Sequence, residues 1–288
     1  MDDFSSILTK FASFKAKRIS QRYSESSRLH QACTYAMSGK GKYVRPVLTL
    51  LSAESVGASA DDALHGALAV EMIHTYSLIH DDLPCMDDDD TRRGRPTVHK
   101  QFDEATALLA GDALLTDAFD EMGLTPNISA DLVVQGMRVL SAAAGGGGMV
   151  QGQDLDLSWT GKQGYQQDDL EQIHRLKTGQ LIAASCAVGC LLGAKTEYLH
   201  DFQSFGNHLG LAFQIIDDLL DDSTSTGKSV GKDKAQGKLT FLSMMSREDA
   251  AHYAKSVTEK AFASLEQTGL TTTDALRQFA LRLLERKS

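Results

Sequence analysis

Residues 80–90 read HDDLPCMDDDD, six aspartates around one proline at the end of a stretch with helical periodicity. Like charges this dense repel one another and destabilise a bare fold, so they call for cations to meet them. A charge run by itself ordinarily marks a solvated loop. What separates the two readings is the rest of the chain.

Working outward, apolar residues recur at helical spacing through 4–19, 29–37, 44–56, 62–80, 103–122, 128–143, 168–194, 198–221, 248–266 and 272–286. Only four prolines interrupt 288 residues, and clusters of β-branched residues bounded by turns are scarce. The pattern predicts an all-α protein of about ten helices. Breaks fall at SGKGK (38–42), RRGRPT (92–97), GLTPN (123–127), GGGG (145–148), TGKQG (160–164) and STSTGKSVGKDKAQGK (223–238). None is long enough for a linker, so 1–288 is expected to be one domain without internal repeats.

Composition narrows the function. At 42% hydrophobic residues the chain can bury a real core, and a formal net charge of −9 argues against general nucleic-acid binding. The longest uncharged run, LIAASCAVGCLLGA (181–194), falls short of the roughly twenty residues that span a bilayer and reads as a buried core helix. The N-terminus MDDFSSILTKF lacks the basic and apolar regions of an export signal, so the expected location is the cytoplasm and the chain is not expected to be an integral membrane protein. Cys33, Cys85, Cys186 and Cys190 are too scattered for a disulfide framework and are expected to be reduced thiols. AAAGGGG (142–148) lacks the lysine and hydroxyl residue of a nucleotide loop and reads as a helix break.

A second acidic cluster, FQIIDDLLDD (213–222), places Asp217 and Asp221 four apart on one helical face between isoleucines and leucines. Inward carboxylates there require a metal or other cations. In the first cluster an undistorted helix would align Asp81 with Asp88 better than with Asp87, but Pro84 leaves the pairing open. Clustered carboxylate oxygens suit Mg2+ or Mn2+, and magnesium characteristically shares its shell with substrate phosphates. Bases sit nearby: Arg92 and Arg93 after the first cluster, Lys228, Lys232 and Lys238 after the second, Lys42 and Arg45 in GKGKYVRP (39–46). Gathered in glycine-rich loops beside metal-type aspartates, they look like phosphate ligands.

The motifs GKGKYVRP, EMIHTYSLIHDDLPCMDDDDTRRGRPT, LAGDALL, GGMVQGQDLDL, KTGQL, GLAFQIIDDLLD and GKDKAQGKLT, in this order, resemble the short-chain trans-isoprenyl diphosphate synthases. That resemblance is nearest to the bacterial farnesyl diphosphate synthases. It implies the isoprenoid synthase fold, an all-α bundle around a deep central cavity, as a homodimer. It also implies condensation of an allylic diphosphate with isopentenyl diphosphate, with three Mg2+ ions. Carried over by position, Asp81, Asp87 and Asp217 would ligate the metals, with Asp82, Asp88 and Asp221 in support. Lys42, Arg45, His74 and Arg93 would hold isopentenyl diphosphate. Arg92, Lys177, Thr178, Gln214, Lys228 and Lys238 would hold the allylic diphosphate, and Lys177, Thr178 and Gln214 would also steady the cation. Tyr76 and Ser77 would set product length, giving a C15 product, with C20 as the alternative, while His80 reads as structural. The chain departs from the common GGKRLRP pattern at Lys40 and Tyr43. Intact acidic motifs argue against a non-catalytic partner subunit, and the basic set argues against a terpene cyclase.

Overall fold

The helix that ends in the first acidic cluster is apolar on almost every side, which decides where it sits. In this computed structural model, which describes residues 4–24, 26–39, 41–162, 164–221 and 240–285, that helix is α4, Ala60–Asp81. Ser59 caps it by accepting the amide of Asp61, and Asp61 and Asp62 face the positive end of its dipole. Leu64, Leu68, Met72, Ile73, Tyr76 and Ile79 are all buried. An element that is hydrophobic all round belongs in the middle of a bundle.

Around it lie α1 (Ser5–Arg22), α2 (Arg28–Met37), α3 (Val44–Ser55), α5 (Val98–Gln101), α6 (Glu104–Gly123), α7 (Ala130–Ala144), α8 (Met149–Trp159), α9 (Gln167–His174), α10 (Gln180–Leu192), α11 (Leu199–Asp221), α12 (Arg247–Gln267) and α13 (Asp274–Leu284). Side-chain caps from Asp103, Ser129 and Ser246 start α6, α7 and α12. The core helix expected at 181–194 is present, with every residue from Leu181 to Leu192 buried. It packs tightly on α11, because a Cβ added to Gly206 would stand 2.5 Å from the Cα of Ala183. No helix among the described residues is long and apolar enough to cross a membrane. All four cysteines are free, and only Cys85 is exposed.

The structure corrects the sequence reading in three places. The single helix expected over 168–194 is interrupted by a π-helical turn at Arg175–Gly179. Met149–Trp159 is a helix that periodicity did not reveal, since its apolar residues are few and Gly148 and Gly152 flank and interrupt it. The RRGRPT break is a small hairpin in which β1 (Thr91–Arg92) pairs with β2 (Arg95–Pro96), its two-residue loop Arg93–Gly94 having positive φ at both positions. Lys40 and the 223–238 segment lie outside the described residues.

One buried carboxylate ties three helices together. Glu121 on α6, its side chain 1% exposed, accepts hydrogen bonds from Arg18 at 3.0 Å, Arg22 at 3.1 Å and the ring of His65 at 2.8 Å. Burial alone would raise its pKa, but the hydrogen bonds from His65, Arg18 and Arg22 outweigh burial and hold the group at about 2, below its ordinary 4.5. The stability it contributes is therefore present above about pH 4.5 and is lost as pH falls toward 2. Glu121→Gln should cost about 3–5 kcal/mol near neutral pH, read by urea unfolding, and should flatten the acid limb of stability below pH 4.5. An unchanged acid limb would assign that limb to other carboxylates.

Candidate active site

The end of α4 turns on Pro84, and the backbone settles the pairing that the sequence left open. The amide of Asp87 donates to the carbonyl of Asp81 at 2.9 Å, so the chain folds back and brings the two residues together. The Asp81 carboxyl is pushed up to about 6, first by burial, with Lys177 opposing, Asp87 adding repulsion, Arg92 opposing and Asp82 adding repulsion. Asp88 turns away with φ +48° and joins another group, in which one ligand atom from each of Asp88, Asp90 and His99 lies within 4.8 Å of the other two.

Asp82 has a different task. Its side chain, 4% exposed, takes the guanidinium of Arg92 through Nε at 2.7 Å and Nη2 at 2.6 Å. The hairpin places Arg92 there, and this paired arginine stands beside Asp81. Lys177 arrives from the π-helical turn. Its Nζ contacts Asp156 at 2.6 Å and is drawn electrostatically to Asp81 and Asp87. Asp156, on α8, is the residue that sequence reasoning missed, although it lies in GGMVQGQDLDL. Its partner is invisible without the approach of α8 to the π-helical turn, so close that a Cβ on Gly152 would collide with the backbone nitrogen of Lys177.

Next to Lys177, Thr178 donates its hydroxyl to Gln214 Oε1 at 2.5 Å, joining the π-helical turn to α11. Gln214 stands three residues before Asp217, which is half-buried, while the neighbouring Asp218 accepts the amide of Phe241 at 2.7 Å. The predicted trio Lys177, Thr178 and Gln214 is thus contiguous with the Asp81–Asp87 pair. Asp221 ends α11, and Lys228, Lys232 and Lys238 lie outside the described residues.

A second, basic cluster gathers around α4 two to three turns earlier. Burial lowers Arg45 to about 10 against the attraction of Glu71, and Arg93 lowers it further; its Nε has no hydrogen-bond partner. Glu71, buried on α4, is raised to about 7 by burial despite Arg45, Lys15 and Arg93. His74 is held well below its ordinary value by burial and by Arg45, Arg93 and Arg92, and so is neutral. Arg45, Arg93 and Glu71 thus act on one another around the neutral ring of His74. Arg45, His74 and Arg93 come together as the sequence suggested. Lys42 is exposed and lines a separate 400 Å3 cavity with Phe4, Phe279 and Arg282.

Tyr76 is buried and packs edge-to-face on His80 at 5.8 Å. Ser77 turns its hydroxyl back to the His74 carbonyl at 2.9 Å. His80 bonds the carbonyl of Leu108 at 3.0 Å, the structural role expected of it.

With Asp81 raised by burial in the metal-free protein, removing its charge should relieve the fold. Asp81→Asn is expected to melt roughly 2–4 °C higher than wild type in EDTA, measured by calorimetry. A clear fall would make Asp81 a structural residue.

The profile of the polyprenyl synthetase family matches residues 26–276. The chain is 42% identical to a farnesyl diphosphate synthase of Micrococcus luteus over 90% of both chains. It is 41% identical to geranylgeranyl pyrophosphate synthase 4 of Arabidopsis thaliana over 84% of this chain and 66% of that one. The fold matches a geranyltransferase from Helicobacter pylori, crystallised with magnesium and isoprenyl diphosphate, with a TM-score of 0.78 at 29% identity over 96% of this chain and 97% of that one. On these grounds the chain belongs to the polyprenyl synthetase family and is a prenyltransferase of that class.

Proposed function

We propose that the protein condenses dimethylallyl or geranyl diphosphate with isopentenyl diphosphate, in a Mg2+-dependent reaction through an allylic cation, to give farnesyl diphosphate and diphosphate. The observation that carries this reading is the pair of complementary charge clusters along α4. The carboxylates of Asp81 and Asp87 lie with Lys177 and Arg92 at its end, and the cations Arg45 and Arg93 lie with His74 further back.

The donor set suits magnesium. Asp81 and Asp87 offer hard oxygens, and the burial that raises Asp81 is the penalty that a bound cation removes. Asp81, Asp87 and Asp217 are the ligands we assign, for three ions, with Mn2+ as a substitute. When bound, the metal neutralises the charge that develops on the departing diphosphate. Arg92, Lys177, Lys228 and Lys238 would hold that diphosphate, and Lys177 is already aimed by Asp156. Arg45, His74 and Arg93 would hold isopentenyl diphosphate, and Lys42 would join them by turning from the cavity it lines. The Thr178–Gln214 pair and the carbonyl of Lys177 would direct dipoles at the cation in a site shielded from water. The isopentenyl double bond would attack the allylic carbon to form the new C–C bond, and the proton then lost would pass to the released diphosphate, so the protein needs no nucleophile or base of its own.

We assign residues 1–288 to one domain working in the cytoplasm as a homodimer. Leu108 and Leu109 on α6 and Val134 on α7, each about half exposed, are the surface we assign to the second copy.

The reading is tested by incubating the protein with labelled isopentenyl diphosphate, geranyl diphosphate and Mg2+ and separating the products. Asp81→Ala and Asp217→Ala should each lower turnover at least a hundredfold. A variant retaining more than about a tenth of the wild-type rate would overturn the ligand assignment.

Product length rests on Tyr76. It stands five residues before Asp81, about 7.5 Å back along α4 at the helical rise, where a bulky ring would stop a chain growing away from the diphosphate. The Micrococcus relative is named for a C15 product and the Arabidopsis relative for a C20 product, so similarity does not choose between them. Tyr76→Ala should move the main product from C15 to C20 or longer. A stable variant still making only C15 would remove Tyr76 from that role, and a C20 wild type would overturn the length itself.

A further inference from the structure

Tyr43 stands where the resembling motif carries a basic residue, and the side chains around it show how the position is held. Lys15, in the middle of α1, is buried, and its ammonium leaves its own helix for the turn before α3. Its Nζ donates to the carbonyl of Met37 at 2.5 Å and to the hydroxyl of Tyr43 at 2.9 Å, and lies 4.7 Å from the centre of the Tyr43 ring. The Tyr43 hydroxyl in turn donates to the carbonyl of Gly39 at 3.2 Å. One ammonium therefore ties three points of the turn: the end of α2, Gly39 and the residue that begins α3.

A buried ammonium is costly, and among the described residues no carboxylate forms an ion pair with Lys15; Glu71 acts on it only as a nearby charge. The contacts also hold Tyr43 in a left-handed conformation, φ +47°, that a bulky aromatic adopts reluctantly. Backbone strain of that kind persists where surroundings over-determine it.

What the clamp positions is visible at Gly41. A Cβ added there would stand 2.8 Å from Nη1 of Arg93, so the guanidinium rests directly on the turn. Arg93 itself sits in the hairpin loop with φ +53°. Arg45 leaves the same turn in the first turn of α3.

We propose that Lys15 is a positioning residue for the isopentenyl diphosphate side of the site: through Tyr43 it fixes the turn on which Arg93 rests and from which α3 presents Arg45. This rests on the functional reading above. The charge that the common motif places in the loop is delivered here from α1, and it acts by holding the loop rather than by touching substrate.

The experiment measures steady-state kinetics of Lys15→Met, Lys15→Arg and Tyr43→Phe with both substrates varied. Lys15→Met and Tyr43→Phe should raise the KM for isopentenyl diphosphate roughly tenfold, the worth of one charged hydrogen bond, while the KM for geranyl diphosphate and kcat move less than about twofold. Lys15→Arg, which keeps the cation, should restore part of the loss. Hydrogen exchange should quicken at Gly41 to Tyr43 in Lys15→Met and stay unchanged in α10. Should Lys15→Met fail to fold, Tyr43→Phe carries the same kinetic test, since it removes only the hydroxyl. A folded variant with an unchanged KM for isopentenyl diphosphate, or an equal rise in both KM values, would overturn the proposal alone. A wild type that does not turn over isopentenyl diphosphate would overturn the functional reading and the proposal with it.

Discussion

The amide of Asp87 reaching back to the carbonyl of Asp81 is the constraint on which the site depends. That single backbone bond closes the turn over Pro84 and forces two carboxylates together at the end of a helix buried on most of its sides. Burial there, with this crowding added to it, is unfavourable, as the rise of Asp81 to about 6 expresses. Its persistence requires the helix to be held from elsewhere. Glu121 with Arg18, Arg22 and His65 does part of this at the opposite end of α4, and His80 on the Leu108 carbonyl does part at the near end.

Charge is then sorted along α4 by the direction each side chain takes. Asp82 and Asp81 are adjacent in sequence, yet one is saturated by Arg92 and the other faces Lys177 and Asp87. A saturated carboxylate fixes an arginine, whereas an unsaturated one attracts whatever cation is available. On α11 Asp218 is likewise spent on structure, accepting the amide of Phe241 one residue after the Asp217 assigned to the metal. Doubled aspartates in both motifs thus combine a structural member with one assigned to the chemistry.

The helices and the two acidic motifs are legible in the sequence because each rests on local periodicity and composition. The pairing of Asp81 with Asp87 is not, because a proline turn destroys the helical ruler and only the backbone bond replaces it. Asp156 is hidden for a related reason: its value to Lys177 arises where α8 meets a π-helical turn, and periodicity predicts neither element. Lys15 reads as one more residue of an amphipathic first helix, since nothing in α1 announces that its ammonium ends under a tyrosine of the α2–α3 turn. Glu71 and Glu121 give equally little sign of their roles, because a glutamate in a helix is ordinarily a surface residue and only tertiary contacts make it otherwise. The loop lysines Lys228, Lys232 and Lys238 lie outside the described residues, so their part in the reading stands on the motif.

The placement of the π-helical turn answers to these demands. An unbroken helix over 168–194 would carry its side chains past α8 and α11 in strict 3.6-residue order. One wider turn inserts an extra residue and rotates the helix beyond it, a device that recurs at functional sites. Here it lets Lys177 meet Asp156 on one neighbour while Thr178, the next residue, meets Gln214 on another. It also lets the apolar run from Leu181 resume its burial in the core without a break in the chain. The turn thereby meets α8 and α11 together, and its lysine stands beside Asp81 and Asp87 at the end of α4.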